Sequence, residues 1–344
     1  MEPQYRSGKQ RIRPFASSAN ASARGCSRPL QRVISDFGAD LPWARVMDKM
    51  VEHYGLVIPE STIARVTLRH AKKMHGQSQG APLGLPDKAP PHSAIIVQTD
   101  GSMIPTVRSK TDAQDKRKGK SVQWQEAKLS LAHVQDSKEL SYAATLQGEV
   151  DGVGKQLRAC ARRVGMAAGH RVHAMGDGAP WIASQVKKRF GAQGSYLVDF
   201  YHVCEYLVQA AAGIERQPAA QQHWLEEQKH RLKTGQLDLV LMTLQAHLED
   251  LACADQEAPV RRCWRYLSHR QDQLDYAGAI SKGLPIGSGE IESAHRYIIQ
   301  RRLKLPGAWW NEANAEHMLA LRLNRANGEW NSYWASNYRY ADAA

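Results

Sequence analysis

"VHAMGDGAPW", residues 172–181, is an apolar run that enters Gly176-Asp177-Gly178 and then opens a helix. Asp and Gly are both turn formers, so a turn explains the tripeptide. A carboxylate presented to a metal ion at a strand tip explains it equally. On either side the periodicity alternates. "VGKQLRACARRVG" reads as a helix and "HRVHAMGDG" as a strand, followed by the helix "WIASQVKKRFG" and the strand "SYLVDFYH". Upstream, "SAIIVQTDG" is β-branched and suits a buried strand. "VQWQEAKLSLAHV" and "YAATLQGEV" complete an antiparallel set of three, with the charged "RSKTDAQDKRKGKS" as an exposed hairpin loop. The order βββαβαβ predicts an α/β fold.

Residues 1–27 are basic and rich in Ser, Ala and Gly, and are expected to be a poorly ordered tail. Residues 28–75 read as helices. Val46, Met50, Val51 and Tyr54 fall at helical steps, Gly55 suits a C-cap, and Ser61 can cap a third helix. That third helix carries Arg65, Arg69, Lys72 and Lys73, so the segment resembles a DNA-binding helix-turn-helix. Residues 76–92 are rich in Gly and Pro and predict a linker. The first part of a catalytic core spans 93–202. A wholly helical insertion covers 203–284, a Gly-rich turn and two helices cover 285–330, and 331–344 form a Trp/Tyr-containing tail.

Across 344 residues, 46 Lys and Arg stand against 34 Asp and Glu, a net charge of +12 that favours a polyanionic partner, nucleic acid first. No apolar run approaches the roughly 20 residues that span a bilayer. The basic N-terminus lacks a signal peptide's apolar stretch, and the five cysteines are never spaced as CxxC. These features predict a cytoplasmic protein without a disulfide framework or a membrane partner.

Asp100 in "VQTDGS" and Asp177 in "MGDGAP" end strands in the same way, each followed by a glycine. The first and fourth strands of such a sheet can be neighbours, and two adjacent carboxylates repel unless a cation neutralises them. Oxygen ligands suit Mg²⁺ or Mn²⁺, and two such ions support in-line phosphoryl displacement. A third carboxylate is needed, and the helix after "PIGSG" offers Glu290 and Glu292, although acidic residues also suit any helix start. The same helix continues with Arg296, Arg301, Arg302 and Lys304, cations suited to phosphates. Asp199 and His202 end the fifth strand, and Asp199 is an alternative second ligand. A structural hydrogen bond is the plainer account of that pair.

The blocks "TDG", "GDGAPWI", "LVDFYHVCEYL" and "PIGSGEIESAHRYIIQRRLKLPGAWW" together resemble those of bacterial insertion-sequence transposases of the DDE type, near the Kra-type group and distantly Mutator-like. The resemblance spans roughly residues 93–325. It implies an RNase H-like fold with a helical insertion, and Mg²⁺ or Mn²⁺, as two ions, as cofactor. It matches Asp100 and Asp177 to the first two catalytic residues and Glu292 to the third, with Glu290 as competitor and Asp199 and His202 in support. Double-stranded DNA, both transposon ends and target, would be the partner. A homodimer or higher oligomer would assemble on it at the bacterial nucleoid. Many relatives carry a cysteine-rich zinc module at the N-terminus, but here only Cys26 precedes residue 160. The alternatives are an RNase H-like nuclease that does not join strands and a non-catalytic DNA-binding descendant.

Overall fold

The computed structural model describes residues 5–7, 10–12, 26–80, 93–109, 120–146 and 148–339. Within the predicted tail, β1 (Tyr5–Ser7) and β2 (Gln10–Ile12) pair antiparallel. Three helices follow: α1 (Arg28–Asp40), α2 (Trp43–Tyr54) and α3 (Glu60–Gly80). Ser27 caps α1 by accepting from the Leu30 N–H. Gly55 ends α2 at φ 64°, a left-handed conformation that favours glycine. Helix α3 begins one residue before Ser61 and runs through residue 80, taking in the first part of the predicted linker. Residues 81–92 lie outside the described residues.

The three helices share a small core of Ile34, Val46, Met50, Ile63 and Val66. They are not a free-standing module. His70 on α3 bonds Tyr333 and Gln31, and Asp40 pairs with Arg322 and Arg325 near the C-terminus.

The sheet is mixed and six-stranded. Strands β3 (Ala94–Ser109), β4 (Lys120–Val134) and β5 (Leu140–Thr145) are antiparallel. Their order predicts the hairpin between β3 and β4, and Ser109 pairs with Lys120 at its end; residues 110–119 lie outside the described residues. After α4 (Val150–Arg163), β6 (Arg171–Gly176) pairs parallel with β3. After α5 (Pro180–Phe190), β7 (Gly194–Val198) pairs parallel with β6. The spatial order is β5-β4-β3-β6-β7, with β8 (Trp310–Asn311) added alongside the far end of β3.

Alternation along β3 explains why both faces are covered. Ile95 and Val97 point towards α4 and α5, whereas Ile96 packs with Met175, Leu197 and Val198 beneath the helical insertion. The insertion comprises α6 (Phe200–Ile214), α7 (Pro218–Lys233), α8 (Leu237–Gln245), α9 (Pro259–Ser268) and α10 (Tyr276–Ser281). Its apolar stripes, including Leu225, Leu244, Leu267 and Tyr276, merge with the sheet in one core.

The chain then returns in α11 (Gly289–Ala294), a π-helical turn (His295–Gln300) and α12 (Arg301–Leu303). Helices α13 (Glu312–Ala326) and α14 (Trp330–Arg339) close the described chain. The described part of the predicted tail, residues 331–339, is therefore helical, and Tyr333 and Trp334 are buried against His70. Among the described residues no helix is long and apolar enough to cross a membrane.

Candidate active site

Backbone pairing brings the two carboxylates near each other, but only Asp177 follows a strand end. Strand β3 runs on unbroken through Asp100 to Ser109, with Gly101 paired to Lys128 on β4, which corrects the expected strand end at Asp100. The parallel register between β3 and β6 runs from Ala94↔Arg171 to Gln98↔Met175. That register stops two residues short of Asp100 and Asp177; Asp177 follows directly on the end of β6, near enough for its charge to act on the Asp100 carboxylate. The Asp100 carboxylate accepts from the Gly101 N–H at 2.7 Å. Burial pushes its pKa up to about 6 against that hydrogen bond, and the negative charges of Asp177, Glu126 and Glu292 push in the same direction as burial.

Asp177 is exposed, and its Oδ1 accepts from the Ala179 N–H at 2.8 Å. One oxygen thus turns the chain while the carboxylate stands just past the end of β6. Gly178 completes the turn at φ 84°, and a Cβ there would collide with the Tyr266 hydroxyl.

The two glutamates on α11 diverge. Glu292 is exposed and shares a cleft of about 220 Å³ with Asp100, His295, Arg296 and Gln300. Glu290 lines a different cavity, of about 800 Å³, with Tyr142, Tyr201 and Tyr297. Buried Gln98 fixes this arrangement: its Nε2 donates to Glu290 at 2.6 Å and its Oε1 accepts from the Ile291 N–H at 3.0 Å. Gln98 lies two residues before Asp100, so one strand aligns both the carboxylate and the helix that faces it.

Asp199 has a different environment. It is buried and caps α6, accepting from the His202 N–H at 2.7 Å. Its other oxygen accepts from the Ser288 N–H at 2.5 Å and the Ser288 hydroxyl at 2.6 Å. The His202 ring lies 3.5 Å from Glu205 and packs edge-on against Tyr206 and Tyr266. Asp199 and His202 therefore meet through a helix cap, with the imidazole directed elsewhere.

Two further residues at the site escape a reading of the sequence. Glu126 on β4 lies over Gly101, where an added Cβ would collide with its carboxylate, and it pairs with Lys128 at 2.7 Å. Its only signal is the β3–β4 register, which a linear sequence does not display. His295 is buried with Nε2 3.4 Å from Asp100 Oδ2, and burial lowers its pKa to about 4, so the ring is neutral. Its signal is the three-residue spacing from Glu292, which puts both on one side of a helix.

The basic candidates separate by exposure. Lys72, Lys73, Arg296 and Arg301 are exposed, and Lys304 is half-buried. Arg65 and Arg69 are half-buried and donate to Thr62 and Gln31. Arg302 corrects the expectation of a phosphate contact. It is buried, stacks 4.4 Å from the Trp43 ring and 4.7 Å from the Trp310 ring, and donates to the Gly38 carbonyl. It joins α1–α2 to the core.

Among the described residues, no three His, Cys, Asp or Glu side chains are already grouped closely enough to hold a metal ion. What converges is charge. Asp100 feels three other carboxylates, and such a donor set fits a hard divalent cation. No protein-family model matches the chain, and no curated protein is significantly similar to it.

The raised pKa of Asp100 gives a test of this crowding. Its ordinary value is 3.8 and its folded value about 6, so between them the folded chain binds more protons than the unfolded chain. Stability is then lost as pH rises through that window. Asp100→Asn removes the loss. In thermal melts with chelator present, the variant should melt above wild type at pH 7.5 and close to it near pH 4.

Proposed function

We propose that this chain is a DDE-type transposase, with an RNase H-like catalytic domain interrupted by a helical insertion, that cuts and joins DNA by phosphoryl transfer. The observation that carries the reading is the parallel pairing of β3 with β6, which ends two residues short of Asp100 and Asp177, together with the cleft that Asp100 shares with Glu292. Three antiparallel strands followed by two parallel ones, with the first strand central, accord with the RNase H-like class. Asp100, Asp177 and Glu292 would hold Mg²⁺ or Mn²⁺, as two ions, and Glu126 adds negative charge beside them. Bound there, the cations supply Lewis acidity and lower the pKa of the attacking water or 3′-hydroxyl.

The protein's own groups do the positioning. Gln98 holds α11 so that Glu292 faces Asp100 while Glu290 is tied away from the cleft. Arg296 at the cleft and Arg301 further along the helix neutralise phosphates beside the scissile one. Lys72 and Lys73 on α3 offer a second, separate contact to the duplex. Pairing two transposon ends requires at least a homodimer on DNA, and the reaction belongs at the bacterial nucleoid.

The decisive experiment incubates the full chain with Mg²⁺ and labelled DNA carrying the sequences that flank its coding region. Wild type should both cleave and join strands. Glu292→Gln should lower cleavage by about a hundredfold or more, whereas Glu290→Gln should stay within about threefold. Cleavage without joining would make the protein a nuclease. Binding without cleavage would make it a non-catalytic DNA-binding protein.

A further inference from the structure

Asp177 stands on a turn whose main chain is held largely from outside the sheet. Tyr266, on α9 of the insertion, donates its hydroxyl to the Asp177 carbonyl at 2.6 Å. Arg270, just beyond that helix, donates Nε to the Gly178 carbonyl at 2.9 Å. The two residues brace each other: Arg270 Nη1 donates to the Tyr266 carbonyl at 3.0 Å, and its guanidinium lies 4.1 Å from the centre of the Tyr266 ring. Tyr206 of α6 stacks on Tyr266 with centroids 4.1 Å apart and planes inclined by 14°. From the sheet itself, Tyr196 on β7 accepts from the Gly178 N–H at 3.0 Å.

Carbonyls at a strand-end turn are ordinarily left to water, because such loops run over the surface. Here two consecutive carbonyls take partners that lie 89 and 92 residues further along the chain. The left-handed Gly178 makes this approach possible, since any side chain there would occupy the place of the Tyr266 hydroxyl.

We propose that Tyr266 and Arg270 are positioning residues for Asp177, so that the helical insertion, rather than the sheet alone, holds the second carboxylate where it meets Asp100. The inference rests on the reading of Asp177 as a cation ligand and adds a role for the insertion. Any displacement of α9 relative to the sheet then changes the geometry of the carboxylate pair. The insertion becomes part of the active site without contributing a side chain to the reacting atoms.

The test measures Mn²⁺ binding to the full chain by electron paramagnetic resonance of the free ion, without DNA, alongside thermal melts. Asp177→Asn should weaken Mn²⁺ binding and sets the scale. Tyr266→Phe removes only the hydroxyl and keeps the ring in its stack; it should weaken binding by about tenfold, as loss of a partner that orients a ligand does. Arg270→Gln should act in the same direction. In the Asp177→Asn background, Tyr266→Phe should have no further effect on Mn²⁺ affinity, because it acts through that carboxylate. A structural role alone would lower the melting temperature and leave the coupling at zero.

Mn²⁺ affinity unchanged in both Tyr266→Phe and Arg270→Gln, with Asp177→Asn weakened, would overturn the inference and leave the ligand assignment standing. Unchanged affinity in Asp177→Asn would overturn the assignment itself, and the inference with it.

Discussion

Asp177→Asn is expected to abolish the proposed metal-dependent strand cleavage, a loss of about a thousandfold or more, in a protein that should still fold and bind DNA. The size follows from the several kcal/mol that a cation contributes to a phosphoryl-transfer transition state, each 1.4 kcal/mol being about tenfold. The selectivity follows from where the side chain stands. Asp177 is exposed, and Oδ1 has a local role in the turn that an asparagine carbonyl can also fill by accepting from the Ala179 N–H. The substitution therefore removes charge while preserving shape. The checks are single-turnover cleavage of labelled DNA, a gel-shift titration and a thermal melt on the same preparations. A variant that binds and melts like wild type yet cleaves at the wild-type rate would remove Asp177 from the chemistry.

Much of this arrangement is legible before any coordinates. "SAIIV" and "VHAM" read as buried strands because their apolar residues run without alternation, and both are central in the sheet. The glycines around Asp177 mark the end of β6, whereas Gly101 after Asp100 lies inside β3, where it makes room for Glu126. What is hidden is whatever depends on pairing. Glu126 comes beside Gly101 only through the β3–β4 register, and nothing in "VQWQEAKL" distinguishes that glutamate from a solvated one.

Arg302 and His295 are instructive in a different way. Both fall four residues after an apolar position of one stripe, Ile291 to His295 and Ile298 to Arg302, and both are buried with it. The helical period carries that information, whereas the run of cations by itself suggests phosphate contacts. The C-terminal aromatic residues likewise look like a tail until α3 supplies the surface on which Tyr333 and Trp334 pack. Their partners lie at the other end of the chain, where no local pattern reaches.

Asp199→Ala is expected to cost about 4 kcal/mol of folding stability, a large part of the 5–15 kcal/mol that holds a typical domain together. The carboxylate is buried and accepts three hydrogen bonds, from the His202 N–H, the Ser288 N–H and the Ser288 hydroxyl. Removing it unties the cap of α6 and leaves buried donors unsatisfied, each worth about 1–3 kcal/mol. The position compounds the effect. Asp199 lies where the chain leaves the sheet for the insertion and Ser288 where it returns, so one side chain closes the excursion just ahead of Glu292. Asp199→Ser can restore the cap but cannot reach both Ser288 donors, and should recover only about 1 kcal/mol of the loss. Urea denaturation of the two variants measures these values directly. The contrast with Asp177 separates the two aspartates on physical grounds, since a ligand loses chemistry first and a buried clamp loses stability first. If Asp199→Ser kept the wild-type urea midpoint while losing Mn²⁺ affinity, the roles would be exchanged and the second ligand would be Asp199.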